Sequence, residues 1–483
     1  MCKIEERKLN LLMDLYQLTM SQGYFNEELK ENKVVFDMFF RKVPDKGGYA
    51  ICAGLQQVIE YITSLSFDKD EIQALRDMQL FNEDFLSYLS TFKFKGDVYA
   101  IPEGTVVFPN EPLVTVVAST IEAQLIETMV LLTVNHQSLI ATKTSRIVRS
   151  AEGRDVLEFG ARRAQGYDGA IYGARASYIA GAVGSATTLT RNKFGIPAFG
   201  TMAHSWVQLF GDEYKAFETY ARNYPDSCTL LVDTYDVIHS GIPNAIKVAK
   251  EVLEPMGKRL KGIRLDSGDM AYLSKIARLM LDQEGLTDCK IVASNSLDEF
   301  TITSLLQQGA KIDTFGVGER LITSKSEPVF GGVYKLVAVE ENGIFEPRIK
   351  ISENVEKVTN PGHKSVWRLY DNETGKAIAD VLTLADEVID DTKPYTIFDP
   401  VYTWKKKTLT NFTARKLQVP IIQGGNVIYN SPTIDEIKEY CKKEQETLWE
   451  EVTRITNPHA YYVDLSQPLW DLKHSMLEAK NNK

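Results

Sequence analysis

This chain lacks most of the devices that would tie it to a membrane, a disulfide scaffold or a nucleic acid. No apolar run approaches the roughly 20 residues of a membrane helix, and Asp14 interrupts the apolar stretch 11–20 where a targeting segment would be sought. The five cysteines, Cys2, Cys52, Cys228, Cys289 and Cys441, are odd in number and none forms a short-spaced pair, so neither a metal knuckle nor a disulfide framework is written here. A formal net charge of −10 leaves no overall basic face for nucleic acid or an anionic membrane. No Gly-x4-Gly-Lys-Ser/Thr loop occurs, so any ATP used is not held in the P-loop manner. Cys-His and Ser-His nucleophile motifs, internal repeats and low-complexity linkers are missing as well. These absences predict a soluble cytoplasmic protein without a nucleic-acid or membrane partner.

The 483 residues, 44% of them hydrophobic, are enough for a large barrel with accessory pieces. The pattern predicts a mixed α+β N-terminal domain over 1–150, a strand and helix alternation over 151–350, and a C-terminal extension over 351–483 that packs back on the N-terminal domain. In the first part, helical spacing covers 9–24, residues 34–40 alternate as a strand, Gly47-Gly48 opens a helix to about residue 65, and Gly, Pro and β-branched residues at 95–119 read as a small β module. A long helix over 121–151 follows. Residues 333–339 and 344–351 read as paired strands about Glu341-Asn-Gly343, and the charged helix from about 433 reads as a solvated face.

Between 155 and 321, six short apolar runs recur at intervals of 22 to 40 residues: 156–159, 196–199, 229–232, 262–265, 290–293 and 312–315. Each precedes a helical pattern, as in βα units, which favour parallel strands in an open sheet or a barrel. Each run also ends in chemically loaded residues: Gly160-Ala-Arg162-Arg163, Thr201 to His204, Asp233-Thr-Tyr-Asp236, Asp266-Ser267-Gly268-Asp269, Ser294-Asn295-Ser296 and Gly316-Val-Gly318-Glu319. In α/β barrels the active site is built from those ends, so the six turns converge on one pocket.

His204 stands out among the six histidines. It is expected to project from the end of a strand at 196–199, with a hydroxyl on either side at Thr201 and Ser205 and a helix beginning near Trp206, where free N–H groups favour phosphate. The plainer alternative is a buried histidine bonded to a carbonyl. Asp233, at the next strand end, is expected to accept the Nδ1 proton and leave Nε2 as nucleophile. Arg162 and Arg163 offer planar forks to phosphate or carboxylate, with ordinary ion pairing as the alternative. Arg264, inside an apolar strand, needs an anionic partner. Asp266-Ser267-Gly268-Asp269 suits ribose hydroxyls or Mg²⁺, although Asp269 could simply cap the next helix. Gly316-x-Gly318 resembles a phosphate cradle, and Tyr16 on pattern alone is a packing residue.

Taken in order, Asp14-Leu-Tyr16-Gln, Glu158-Phe-Gly-Ala-Arg162-Arg-Ala-Gln-Gly, Gly200-Thr-Met-Ala-His204-Ser, Val232-Asp-Thr-Tyr-Asp, Ile263-Arg-Leu-Asp-Ser-Gly-Asp, Phe315-Gly-Val-Gly and Pro361-Gly-His-Lys resemble the signatures of the nicotinate phosphoribosyltransferase family across nearly the whole chain. The resemblance implies an irregular α/β barrel of the type II phosphoribosyltransferase fold. It implies an enzyme that joins nicotinate to 5-phosphoribosyl 1-diphosphate (PRPP), yielding nicotinate mononucleotide and diphosphate with coupled ATP hydrolysis, at the entry to NAD salvage. Mg²⁺ is the implied cofactor, with no ligand set assigned, and a homodimer with shared sites is the implied assembly.

Residue by residue, the resemblance implies that His204 becomes a phosphohistidine, Asp233 orients it and Asp266 serves the reacting ribose. Phe159 and the partner subunit's Tyr16 would sandwich the pyridine, with Arg162, Thr201 and Arg264 also on nicotinate. Arg163, Ser267, Gly268, Ser294, Asn295, Gly316, Gly318 and Thr323 would serve PRPP and its phosphates, Ser294 and Asn295 being placed by strand position. The related nicotinamide enzyme has an acid in the segment aligning with Gly184-Ser-Ala186-Thr; its absence here favours nicotinate, whose carboxylate an acid would repel. Nicotinamide phosphoribosyltransferase and a non-catalytic metabolite-binding barrel are the alternatives.

Overall fold

The computed structural model describes residues 7–354 and 357–481, so Cys2 lies outside the described residues. Two compact units emerge, one from 1–139 with 329–483 and the other from 140–328. The cuts therefore fall before the expected 150/151 and 350/351 boundaries. The reason at the second cut is strand pairing: Val333–Glu341, expected in the barrel portion, lies antiparallel to Lys33–Phe39. Among the described residues no helix is long and apolar enough to cross a membrane.

In the unit formed by both chain ends, Lys33–Phe39 is flanked by Val333–Glu341 and Val114–Ser119 in a seven-stranded sheet. Asp37 on that strand is buried, and its charge is offset by the Thr115 hydroxyl at 2.7 Å and the Lys364 ammonium at 2.9 Å. A four-stranded sheet holds Lys364–Asp371 and Ala377–Leu384, where fully buried Arg368 forks onto Asp380 at 2.6 Å and reaches Glu444 at 3.1 Å. Much of the basic cluster after residue 357 is thus taken up by internal pairing, and Glu444 on the charged helix Ile434–Glu446 points inward. The first helix starts at Leu15, because Asp14 forms a capping box with Gln17. The helix expected from Gly47-Gly48 starts later, at Leu55, and the long one divides into Thr120–Leu125 and Glu127–Ser150.

The 140–328 unit is built on a parallel sheet in the order Gly184–Ser185, Asp155–Glu158, Thr314–Val317, Lys290–Ser294, Gly262–Leu265 and Thr229–Leu231. The first long strand, Asp155–Glu158, pairs with the last, Thr314–Val317, so chain order closes on itself as in a barrel. Ser185 bridges onward to Ala198 in parallel. Between that segment and Thr229–Leu231 no ladder forms among the described residues, which makes the barrel irregular. Residues 196–199 therefore contribute a single bridge, and the strand that the apolar pattern does not reveal is Gly184–Ser185. Buried Ile263 and Leu265, Ile291 and Ala293, and Phe315 and Val317 form the interior, as expected for strands covered on both faces.

Candidate active site

The unladdered seam is spanned by side chains. Arg264, on Gly262–Leu265, donates from Nη1 to the Thr201 hydroxyl at 2.6 Å and to the Met202 carbonyl at 3.3 Å. His204, the first residue of the helix His204–Phe210 rather than a strand end, places Nδ1 3.1 Å from Thr234 Oγ1. Its Nε2 faces two carboxylates, Asp266 at 3.8 Å and Asp233 at 4.0 Å. The expected pairing of Asp233 with Nδ1 is thus corrected: the carboxylate approaches the other nitrogen.

The reason lies in the turn after Gly262–Leu265. Asp233 commits Oδ2 to the Asp266 backbone N–H at 2.9 Å and the Ser267 hydroxyl at 2.7 Å, tying two neighbouring strand ends together. Its Oδ1 is buried with no hydrogen-bond partner among the described residues. A buried carboxylate oxygen left open costs free energy and awaits a proton, a cation or a donor. Asp266 accepts from the Ser294 hydroxyl and lies 3.6 Å from Arg264 Nη2. Burial pushes the Arg264 guanidinium below its usual range; Asp266 and Asp233 oppose that shift, and Arg162 reinforces it. Arg264 Nε, also buried, has no partner among the described residues.

The remaining expected residues divide. Ser294 closes its strand beside Asp266, and Asn295 follows at φ 89°, with Ser296 at φ 52°. Two successive non-glycine residues in left-handed conformations mark a strained turn at the pocket. Gly268 turns at φ 81° after exposed Ser267. Asp269 is a cap, accepting from Tyr272 N–H at 2.9 Å to start Met270–Gln283. Arg162 and Arg163 sit in the exposed turn Ala161–Arg163, and Arg163 lies 3.9 Å from Glu319. Thr323 donates to the Glu319 carbonyl at 2.7 Å, an internal helix bond. Tyr16, on Leu15–Asn26 of the other unit, is 43% exposed.

The glycine cradle has a different cause at Gly316. A Cβ there would stand 2.6 Å from Cδ2 and Cε2 of Phe159, so the residue is glycine to seat that ring. Gly318 precedes the short helix Glu319–Ile322, and its Cβ would meet the Phe159 carbonyl at 3.2 Å. Two site residues are not singled out by the sequence pattern. Thr234 sits between Asp233 and Tyr235 with no pattern of its own, whereas Glu158 carries a usable signal, a carboxylate ending an apolar strand.

An arginine, two carboxylates, a histidine and several hydroxyls gathered at the C-terminal ends of parallel strands define an α/β-barrel enzyme. Which enzymes it joins follows from comparison. Sequence models for the nicotinate phosphoribosyltransferase N-terminal domain, family and C-terminal domain match residues 11–135, 155–379 and 363–473. The chain is 46% identical over 471 residues to nicotinate phosphoribosyltransferase of Bacillus subtilis, covering 97% of this chain and 95% of that one. It is 31% identical to the human nicotinate phosphoribosyltransferase, over 96% of each chain. The crystal structure of human nicotinic acid phosphoribosyltransferase superposes with a TM-score of 0.83 at 28% identity, covering 97% of this chain and 100% of that one. The chain belongs to the nicotinate phosphoribosyltransferase family of enzymes.

Proposed function

We propose that this enzyme joins nicotinate to PRPP, forming nicotinate mononucleotide and diphosphate in NAD salvage, and that it couples this to ATP hydrolysis through phosphorylated His204. Family membership supports the reaction. The observation that carries the mechanism is the position of His204 Nε2, 3.8 Å from Asp266 and 4.0 Å from Asp233.

As the C1–diphosphate bond of PRPP breaks, positive charge grows on the ribose, and fixed carboxylates stabilise it more than they do the ground state. Asp266, held by Ser294 and Arg264, is the carboxylate for that role. The pyridine nitrogen then bonds to C1 while diphosphate leaves. Phe159, Arg162, Thr201 and Arg264 receive nicotinate, and the turns at 163, 267–268, 294–295, 316–318 and 323 receive PRPP. In a homodimer the partner subunit's Tyr16 supplies the second ring of the pyridine sandwich.

For the ATP step, Nδ1–H donates to Thr234 and Nε2 keeps a lone pair. Nε2 attacks the γ-phosphorus, the bond to the bridging oxygen breaks and ADP leaves. Water later displaces His204 and releases phosphate. The residues fit Mg²⁺ brought in with substrate phosphates: Asp233 has an open buried oxygen with Asp266 beside it. Magnesium is suited to one or two carboxylates plus phosphate oxygens and retained waters, and needs no all-protein cage. Bound there, Mg²⁺ would neutralise charge on the departing diphosphate.

The test incubates the enzyme with nicotinate or nicotinamide, PRPP, Mg²⁺ and γ-labelled ATP, following nucleotide product and acid-labile label on protein. Nicotinate mononucleotide and labelled protein are expected, with labelling abolished in His204→Ala. Persisting label in that variant would move the phosphoryl site, and a preference for nicotinamide would overturn the substrate.

A further inference from the structure

Among the buried carboxylates that the mechanism above does not use, Glu158 is the one that ends a barrel strand beside the proposed nicotinate residues. Glu158 ends Asp155–Glu158 with no exposed surface, in a position where an apolar side chain would fill the space without desolvation cost. Its two carboxylate oxygens reach two different segments. Oε1 accepts the backbone N–H of Gly160, and Oε2 accepts the hydroxyl of Ser185 at 2.6 Å. That hydroxyl in turn accepts the Thr187 N–H at 2.9 Å, while the Glu158 carbonyl accepts the Ala186 N–H at 2.9 Å. The first segment carries Phe159 and Arg162. The second carries exposed Ala186 and half-buried Thr187, whose own hydroxyl is buried without a partner among the described residues.

We infer that Glu158 is a positioning residue for pyridine recognition: it clamps the Phe159–Arg162 turn to the 184–187 segment and so sets the width and polarity of the slot that takes the nicotinate ring and its carboxylate. Two further contacts make the clamp directional. Phe159 N–H donates to the Val317 carbonyl at 2.8 Å, and the Phe159 ring lies over Gly316, so one side of the turn is held by the strand Thr314–Val317. On the other side Glu158 joins the turn to residues 184–187, one carboxylate oxygen on each. Burial raises the pKa of this carboxyl, and the Ser185 and Gly160 donors pull it back down, the signature of a group kept buried for its acceptors.

This inference rests on the proposed nicotinate reaction, and the experiment separates the two. Steady-state constants are measured for wild type, Glu158→Leu, Glu158→Gln and Ser185→Ala, together with KM for PRPP, labelling from ATP and melting temperature. Loss of a charge-assisted acceptor is expected to raise KM for nicotinate about tenfold in Glu158→Leu and less in Ser185→Ala. Gln, which keeps one acceptor and can donate to Ser185, falls between wild type and Leu. KM for PRPP and labelling of His204 stay near wild type. Should Glu158→Leu not fold, Ser185→Ala carries the measurement. Absence of nicotinate turnover by wild type overturns the reaction and this inference together. Normal wild-type turnover with an unmoved nicotinate KM in the variants, or an equal loss in every constant, overturns the clamp alone.

Discussion

Nδ1 of His204 lies 3.1 Å from Oγ1 of Thr234, while Asp233, one residue earlier, turns its carboxylate to the Asp266 N–H and the Ser267 hydroxyl. The Nδ1 partner is therefore a hydroxyl, which can either donate or accept, and the two carboxylates face the opposite nitrogen. Thr234→Val removes the hydroxyl but preserves shape. It should slow labelling of the protein from ATP by about tenfold, the worth of one hydrogen bond in the transition state, with Thr234→Ser restoring most of the rate. Single-turnover labelling measures this; an undiminished rate in the Val variant would mean that Thr234 merely packs against the ring.

Phe159 offers a second handle through the glycine beneath it. Gly316→Ala would bring a Cβ to 2.6 Å from the ring, whereas Gly318→Ala would bring one to 3.2 Å from a carbonyl. Gly316 has no positive φ, so space decides there, whereas Gly318, at φ −111° and ψ −105°, also holds a backbone conformation outside the regions that alanine favours. Overpacking of this kind costs about 1–3 kcal/mol. The expected result is a raised nicotinate KM and a lowered denaturation midpoint in Gly316→Ala. An unmoved nicotinate KM in Gly316→Ala would show that seating the Phe159 ring is not what requires glycine there.

Thr234 and Gly316 mark where a sequence stops being legible. Apolar runs at 262–265 and 290–294 end where their composition changes, and Asp269 caps its helix, because both depend on neighbours in the chain. Gly184–Ser185 is too short to show a period, and 196–199 contains Pro197, which has no N–H for a ladder. The role of Gly316 is invisible without knowing that Phe159 crosses over it. Likewise nothing local in 333–341 says that its partner is Lys33–Phe39, so composition puts the domain boundary too late. The choice between Asp233 and Thr234 as the Nδ1 partner turns on a side-chain direction that spacing does not carry.

The proposed shared site makes a prediction about mixtures. Tyr16→Ala and His204→Ala should each be weakly active alone, because one lacks the ring contributed to its neighbour and the other lacks the phosphorylated group. If the dimer shares sites as proposed, mixed dimers contain one site with both groups intact. Random reassociation of equal amounts should then recover about a quarter of wild-type activity. Activity that stays at the average of the two separate variants would place Tyr16 and His204 of each site in the same subunit.

Away from the site, Asp464 on the strand Val463–Leu465 gives stability a pH dependence of defined sign. Burial, with Asp399 adding repulsion, pushes its carboxyl up to about 7. In the unfolded chain the same carboxyl titrates near its ordinary value of about 3.9. Across the interval between those values the native state holds a proton that the unfolded state has released. Stability from this group is therefore fully present below the unfolded value and is lost as pH rises through about 7. Asp464→Asn keeps the shape and removes the titration. The variant should gain stability relative to wild type as pH rises from about 5 to about 8, seen as a growing difference between their urea midpoints. A difference that stays constant over that range would show that Asp464 is ionised in the folded enzyme throughout, with its charge balanced in place.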